Sequence, residues 1–334
     1  MRIGPTMPCK TNKTENRNAN LLEYQRRINQ VIDYITDHLA ENLTLARLAQ
    51  VAFFSPFHFH RVFKSMTGEN LFESIQRLRM QKAASILRYP SSQSMLEIAL
   101  DCGFSGASTF ARAFKACYGM SATEWKNGGA LRWERRKNRS NLSKQLRSVG
   151  KASPRTICHP SPGTAGANRL NQEEKDMKVT IEELPSYRIA YMRHVGPYGP
   201  SGIPELWRRF EKWMDAHGLT AERNVTLGIS HDDPHVTDAG KCRYDACVVV
   251  TQDFEGDALV NVSEVPGGKY ACSEFTGTAH EIEAAWDDMF RCGIPGTGFQ
   301  PDDRPCFELY PPKATADAGK VVFRCKLCVP VRPL

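Results

Sequence analysis

Apolar positions in the first third of the chain recur with the period of an α-helix. One segment covers 24–39, and its apolar positions share one helical face: Ile28, Val31, Ile32, Ile35 and Leu39. A longer amphipathic helix is predicted over 70–88. Its inward positions are predicted to be Phe72, Ile75, Leu78 and Leu87. This pattern predicts an all-α N-terminal region.

The segments on either side of the 70–88 helix repeat one another. Residues 48–68 contain Leu-Ala, two other positions, Ala-Phe-Phe-Ser, then Phe-x-Arg-x-Phe-Lys and a glycine. Residues 98–119 contain Ile-Ala, two other positions, Cys-Gly-Phe-Ser, then Phe-x-Arg-x-Phe-Lys and a glycine. Each copy predicts a helix, a tight turn and a second helix, because capping residues and a proline precede the helical patterns. Gly103 suits a left-handed turn position, whereas Phe53 stands at the same place in the first copy, so we expect that turn to be built differently.

A helix-turn-helix unit places its second helix in the major groove of DNA. In each copy two phenylalanines, four positions apart, predict the buried side of that helix. The outward side chains predicted to reach DNA are Phe57, His60, Arg61 and Lys64 in the first copy, and Ala107, Ser108, Thr109, Arg112 and Lys115 in the second. Arg61 and Arg112 occupy equivalent positions, and arginine can donate two hydrogen bonds to guanine. We therefore predict that these two arginines read bases or, alternatively, contact phosphates.

The C-terminal half is also duplicated, with a period of about 80 residues. Glu183-Leu184-Pro185 recurs as Glu264-Val265-Pro266, Trp207 recurs as Trp286, and an Asp-Ala-Gly-Lys turn occurs at 238–241 and 317–320. Alternation and turn residues predict a strand, a helix and a two-stranded hairpin in each copy. Two βαββ units of this kind predict an α+β domain with a groove between their sheets, and a groove between two halves is a common ligand site.

Charge divides the chain in the same way. Residues 1–176 hold 27 Lys and Arg against 14 Asp and Glu, and residues 177–334 hold 17 against 23. A basic half joined to an acidic half is typical of a nucleic-acid binder with a separate sensor. Between 131 and 155 nine basic residues accompany one acid, and prolines and glycines follow. This segment is predicted to be a linker, either a solvated tether or an additional phosphate contact.

Composition excludes several classes of protein. No apolar run reaches the roughly 18 residues needed to span a membrane, and the polar first twenty residues do not form the apolar core of a signal peptide. The eleven cysteines are scattered, which favours reduced thiols in the cytoplasm. Cys325 and Cys328 have the spacing of half a metal site, but in a strand they point to opposite faces, so we predict neither a metal nor a cofactor.

These motifs resemble the DNA-binding domain of the AraC/XylS family of bacterial transcription regulators. The resemblance covers about Leu21 to Lys126 and depends on Ser55–Lys64, on Ile98-Ala99 with Cys102-Gly103-Phe104, and on Phe110–Lys115. It implies two recognition helices in successive major grooves. It also implies base or backbone contacts from Phe57, His60 and Arg61 and from Ala107, Ser108, Thr109 and Arg112. It also implies an activator that acts with RNA polymerase at promoter DNA.

The remainder, from about Met177 to Val331, resembles the GyrI-like effector-binding domain of Rob-like regulators. The supporting residues are Arg193–Tyr198 and Pro305–Tyr310. The resemblance implies a groove carboxylate that meets a cationic or amphipathic ligand, and Glu308 matches it. A buried carboxylate beside aromatic faces stabilises a cation by charge and by cation–π contact. The predicted walls of the site are Tyr310, Trp286, Trp207 and Tyr187.

We therefore predict a multidomain protein: a disordered tail over 1–20, a tandem helix-turn-helix domain over 21–128, a basic linker over 129–176 and an effector-binding domain over 177–334. The predicted function is sequence-specific transcription control, sensitive to a small molecule and without catalysis. Two alternatives stay open for the C-terminal domain. Glu308 and Tyr310 could instead perform hydrolase-like acid–base chemistry, or the acidic half could bind another protein.

Overall fold

A computed structural model describes residues 11–89, 93–136, 177–199, 202–279, 281–312 and 322–334. The N-terminal half is helical, and the C-terminal half is a curled antiparallel sheet with two helices. The N-terminal helices are α1 (Thr11–Asp37), α2 (Leu45–Val51), α3 (Pro56–Thr67), α4 (Leu71–Arg88), α5 (Met95–Asp101), α6 (Ala107–Tyr118), α7 (Ala122–Glu124) and α8 (130–136). A π-helical turn, Trp125–Gly129, joins α7 to α8. Among the described helices, none combines the length and apolar character that a bilayer span requires.

Two helix-turn-helix units are present, as predicted. Unit one comprises α2 and α3 with α1 packed behind them, and unit two comprises α5 and α6. Phe59 and Phe63 are buried in the core of unit one, while Phe110 and Phe114 are buried in the core of unit two. The predicted apolar face of α1 is also buried, except that Ile32 is only partly covered.

The turns of the two units have the same build, so the prediction of a different turn at Phe53 is wrong. Phe53 has φ +54° and Gly103 has φ +78°, both in the left-handed region. The following amide bonds back in the same way in each unit: Phe54 N to Ala49 O at 3.0 Å and Phe104 N to Ala99 O at 2.9 Å. The turn geometry decides the conformation, and in unit one an exposed phenylalanine adopts it despite its Cβ.

Three sequence predictions in this half differ from the structure. Helix α1 begins at Thr11, so the expected disordered tail is wrong for 11–20, and 1–10 lie outside the described residues. Phe72 is 70% exposed rather than inward, because the buried face of α4 runs through Leu71, Ile75 and Leu78, and Phe72 lies one position beyond Leu71, off that face. The predicted linker starts too early, since Gly129 and Ala130 are buried and α8 continues to 136. Residues 137–176 lie outside the described part of the chain.

The C-terminal half contains nine strands and two longer helices in its described part. In chain order these are β1 (Thr180–Leu184), β2 (Tyr187–Val195), α9 (Ile203–Ala216), β3 (Thr226–Ser230), β4 (Arg243–Val249), β5 (Asn261–Val265), β6 (Gly268–Gly277), α10 (Ile282–Asp288), β7 (Phe299–Pro301), β8 (Cys306–Tyr310) and β9 (Phe323–Pro333). The two predicted βαββ units are confirmed as β2-α9-β3-β4 and β6-α10-β8-β9. Each unit is preceded by a short strand, β1 or β5, that pairs with the long strand of the other unit.

The two units share one continuous sheet, so the expected groove between separate sheets is wrong. The strand order is β1-β6-β9-β8-β3-β4-β2-β5, with β7 added beside β9. The junction is the antiparallel pair β8 and β3, in which Glu308 lies opposite Gly228. These two residues are therefore equivalent under the pseudo-twofold axis that relates the units. The turn at 238–241 precedes β4 as predicted, and its repeat at 317–320 lies outside the described residues.

The N-terminal and C-terminal halves contact each other through buried polar groups. Arg193 of β2 is paired with Asp33 of α1 at 2.6 Å and with Asp245 of β4 at 2.6 Å. The hydroxyl of Tyr191 donates to the same Asp33 carboxylate. Arg243, which is also buried, donates to the hydroxyl of Thr36 at 2.9 Å. Because each buried charge has an opposite charge or hydrogen-bond partner, the contact can exclude water without leaving an ion unpaired.

Candidate DNA interface and ligand site

Helix α3 presents the outward surface that the sequence predicts for unit one. Ser55 caps the helix by accepting from the His58 amide, Pro56 occupies its first turn, and Gly68 ends it at φ 74°. The four predicted DNA-contacting side chains are exposed: Phe57, His60, Arg61 and Lys64. The Arg61 guanidinium carbon lies 4.7 Å from the centre of the Phe57 ring. This cation–π contact orients both side chains toward solvent on the same face.

Helix α6 presents the matching surface of unit two. It has the same length as α3, twelve residues, and also ends at a left-handed glycine. Ala107, Ser108, Arg112 and Lys115 are exposed. Thr109 is only half-exposed, and its hydroxyl donates to the Gly106 carbonyl at 2.8 Å. The Thr109 hydroxyl is therefore engaged within its own helix, and no side chain caps the first amides of α6, because Gly106 stands at the N-cap.

Helix α4 connects the two units and is bonded to both. The Arg79 guanidinium donates to the Leu39 and Glu41 carbonyls of unit one, each at 3.0 Å. From unit two the Tyr118 hydroxyl donates to the Met80 carbonyl at 3.2 Å. The Trp125 indole donates to the Ala84 carbonyl at 3.1 Å. These bonds hold the two recognition helices in a defined relation, as a protein that reads two grooves at once requires.

Glu308 lies in the middle of the C-terminal sheet, on the face that carries α9 and α10. Its side chain is buried, with 6% of the residue exposed. The hydroxyls of Tyr244 and Tyr310 each donate to Oε2 at 2.9 Å, and the Trp286 indole donates to Oε1 at 3.3 Å. Burial raises the pKa of the Glu308 carboxyl above its usual range, while these three donors act in the opposite direction.

Aromatic rings from both units surround this carboxylate. The Trp207 indole of α9 donates to the Tyr244 hydroxyl at 3.3 Å, and its ring meets that of Tyr310 edge-on at 5.7 Å. Trp286 approaches from the equivalent position on α10. Burial, and next the Glu308 carboxylate, raise the pKa values of Tyr244 and Tyr310 well above normal. Both phenols therefore remain protonated and serve as hydrogen-bond donors at neutral pH.

Gly228 makes room for this arrangement. A Cβ at that position would lie 2.0 Å from the Tyr244 hydroxyl and 2.6 Å from Glu308 Oε2. The pseudo-twofold equivalent of the glutamate therefore carries no side chain, and the site contains one carboxylate rather than a repelling pair.

One predicted wall residue is misplaced. Tyr187 packs edge-on against Phe307 at 6.4 Å, and Phe307 points to the opposite face of β8 from Glu308 because side chains alternate along a strand. The prediction for Tyr187 is therefore wrong, and the residue belongs to the core under the curled sheet. Sequence analysis also missed Tyr244 and Gly228. Their role depends on the β3–β4 and β3–β8 registers, which no short motif specifies.

Together the fold and the two surfaces define a class: a DNA-binding regulator with an attached sensor domain. Family models agree with that division. A helix-turn-helix domain model matches residues 48–128, and a model described as a GyrI-like small molecule binding domain matches 177–332.

Two curated relatives each match less than half of the chain. YosT of Bacillus subtilis, a prophage-derived protein whose name describes a transcriptional regulator, is 43% identical over 114 residues, or 34% of this chain and 76% of YosT. A DNA gyrase inhibitor of Serratia proteamaculans is 30% identical over 148 residues, or 42% of this chain and 91% of that protein. Among solved structures, the DNA-binding domain of AdpA in complex with a target DNA is 27% identical, with a TM-score of 0.30, over 31% of this chain and 94% of that one. The chain belongs to the AraC-type transcription regulators that carry a C-terminal GyrI-like domain.

Proposed function

We propose that this protein is a cytoplasmic transcription activator that binds promoter DNA through α3 and α6 and responds to a cationic or amphipathic small molecule at Glu308. The observation that carries the ligand assignment is a buried carboxylate surrounded by indole and phenol rings from both units of the sheet. Such a site favours a positive charge, because the carboxylate attracts it and the ring faces add cation–π contact. RNA polymerase is the proposed partner at the promoter.

The proposed DNA contacts comprise the exposed side chains of α3 and α6, with Arg61 and Arg112 reading bases. Duplexes selected from a random pool by the full chain would supply the test sequence. Arg61→Ala and Arg112→Ala should then each lower specific affinity by about 1–3 kcal/mol in a gel-shift titration. Arg208→Ala, an exposed arginine on α9, is the matched control and should leave affinity unchanged. Unchanged binding by both recognition-helix variants would refute base reading by these arginines.

The proposed ligand site can be tested with a lipophilic aromatic cation, for which tetraphenylphosphonium is a simple probe. Glu308→Gln preserves the shape of the side chain and removes its charge. Calorimetry of the full chain should show weaker binding of the probe to this variant, while a neutral analogue, tetraphenylmethane carrying a polar solubilising group, should bind both proteins alike. Equal affinity of the probe for the two proteins would contradict a cation site at this carboxylate.

A hydrolase-like activity is the second candidate, because the Tyr310 hydroxyl and the Glu308 carboxylate are bonded at 2.9 Å. A carboxylate that holds a phenol in this way could act with it in general acid–base catalysis. Turnover of a reactive ester by the full chain, abolished in both Glu308→Gln and Tyr310→Phe, would favour this function over ligand sensing alone.

A further inference from the structure

The C-terminal half contacts unit two as well as unit one, and the loop before β4 makes part of that contact. Val236, in the loop before β4, is buried in the same hydrophobic cluster as Phe110 and Phe114. Arg88, the last residue of α4, is paired with Asp233 at 3.4 Å and with Glu134 of α8 at 3.3 Å. The end of α4 that leads into unit two is therefore held by residues of the sensor half.

Three aromatic rings connect Glu308 to that end of α4. The Trp286 indole donates to Glu308 Oε1 at 3.3 Å. Its ring is nearly parallel to that of Phe290, with centres 6.3 Å apart. Phe290 in turn stacks on Tyr89, the residue that caps α4, at 4.9 Å. Each ring is in contact with the next. A displacement of the indole therefore pushes on Phe290, and Phe290 pushes on Tyr89.

A polar connection accompanies the rings. Asp287, the neighbour of Trp286 on α10, contacts His235 Nε2 at 3.2 Å. The other ring nitrogen of His235 contacts Glu134 of α8 at 2.6 Å. The hydrogen bond from Asp287 raises the pKa of His235, with Asp233 and Glu134 adding to the effect against desolvation and Arg88. Helix α10 is thus joined to the N-terminal domain by an ionic bridge and by a ring stack.

The structure also leaves space for these rings to move. An apolar cavity of about 120 Å³ lies beside two of them, Phe290 and Tyr89, and is also lined by Ile294, Phe299 and Leu334. Closely packed side chains resist displacement. Rings next to unfilled volume can adopt a second position without compressing a neighbour.

We propose that Trp286 couples the ligand site to the DNA-binding domain. This inference rests on the proposed function of Glu308. Of the three donors to the carboxylate, Trp286 makes the longest bond, 3.3 Å against 2.9 Å for each tyrosine, so a cation that reaches Glu308 displaces the indole first. Helix α10 passes the displacement through Phe290 and Asp287 to the end of α4. Because α4 is bonded to both helix-turn-helix units, the ligand changes the orientation of α6 relative to α3. The affinity for DNA changes as a result.

The pseudo-symmetric tryptophan provides a matched control within the same chain. Trp207 occupies the equivalent position on α9, but its indole donates to Tyr244 and its ring meets Tyr310 and Phe210. All three partners belong to the C-terminal half. A change at Trp207 therefore alters the surroundings of the carboxylate without touching the ring stack that ends at Tyr89.

Hydrogen–deuterium exchange on the full chain, without any ligand, tests the coupling directly. Trp286→Phe removes the indole donor and should speed exchange of the amides of 84–88, at the end of α4, by about fivefold or more, the lower range of allosteric couplings. Trp207→Phe should leave those amides unchanged. In a Phe290→Leu background, Trp286→Phe should add much less, because the ring stack is already interrupted and only the bridge through Asp287 remains. Asp287→Asn, at an exposed position, should give a smaller change in the same direction.

The same proteins can be titrated with a selected DNA duplex. Trp286→Phe should change the dissociation constant of the complex with this duplex by about fivefold or more, which is the lower range of allosteric couplings. Trp207→Phe should leave that constant unchanged. Equal effects of the two tryptophan variants on residues 84–88, or a full effect retained with Phe290→Leu, would overturn the proposal. Failure of the cation to bind at Glu308 would instead refute the ligand assignment, and the exchange result would still decide whether Trp286 reaches α4.

Discussion

Replacing Gly228 by alanine is the sharpest test of the ligand-site geometry. The added methyl carbon would lie 2.0 Å from the Tyr244 hydroxyl and 2.6 Å from Glu308 Oε2. To reach an ordinary contact of about 3.4 Å, the hydroxyl has to retreat by about 1.4 Å. Tyr244 is 3% exposed and packs under α9, so it cannot turn aside without disturbing the core. We expect the hydrogen bond between Tyr244 and Glu308 to break.

The expected magnitude follows from three contributions. A lost hydrogen bond to a charged group costs about 1.5–3 kcal/mol. Overpacking of a closely packed region costs about 1–3 kcal/mol. Alanine restricts the unfolded chain more than glycine and offsets about 0.4–1 kcal/mol of that loss. We therefore expect Gly228→Ala to lower the free energy of unfolding by about 2–5 kcal/mol and to weaken binding of the cationic probe.

Urea unfolding of the full chain measures the first effect, and calorimetry with tetraphenylphosphonium measures the second. Gly296→Ala is the matched control, since a methyl group there meets no atom within 4 Å. It should change stability by less than about 0.5 kcal/mol, as surface substitutions usually do. A Gly228→Ala protein as stable as this control, with unchanged affinity for the probe, would show that Tyr244 and Glu308 do not share the space above Gly228.

Three further predictions concern other parts of the molecule. Because burial raises the pKa of Glu308, its neutral, protonated form persists to higher pH than in an exposed glutamate. The affinity for the cationic probe should therefore rise as the pH increases through that raised pKa. Calorimetry should find no such rise in Glu308→Gln. Phe53→Asn should stabilise the chain by about 0.5–1 kcal/mol in urea unfolding, because asparagine tolerates the left-handed turn and the phenylalanine, 76% exposed, buries little; a lower midpoint would contradict this account. Arg193→Ala should cost about 3–5 kcal/mol, since it removes the guanidinium that pairs with Asp33 of α1 and with buried Asp245, and leaves Asp245 its contact with His231; a loss no larger than that of Arg208→Ala would show that these ion pairs contribute little.

Much of the N-terminal domain could be predicted because its determinants are local. Helical periodicity, capping residues and the repeated Phe-x-Arg-x-Phe-Lys motif placed α3 and α6, and the exposed positions of Arg61 and Arg112 follow from the same spacing. The errors arose where the local pattern indicates one environment and the packing of the helices against each other produces another. Phe72 has the spacing of an inward residue, but the buried face of α4 runs through Leu71 and Ile75 and leaves Phe72 outside it. Residues 129–136 have the composition of a linker, yet Ala130 is buried in unit two.

The amino-acid sequence alone determined that the chain holds two helix-turn-helix units and a duplicated α+β domain, because these properties depend on spacing within a few turns or one strand. Glu308 was predicted as a site residue through the resemblance to the GyrI-like domain. Only the tertiary structure decided what surrounds that glutamate. Strand register places Gly228 opposite Glu308 and brings the Tyr244 hydroxyl to the carboxylate. Because side chains alternate along each strand, Tyr187 lies on the opposite face of the sheet. The packing of Phe290, just after α10, against Tyr89 likewise joined the C-terminal half to α4. Such contacts link residues far apart in the chain, and periodicity carries no information about them.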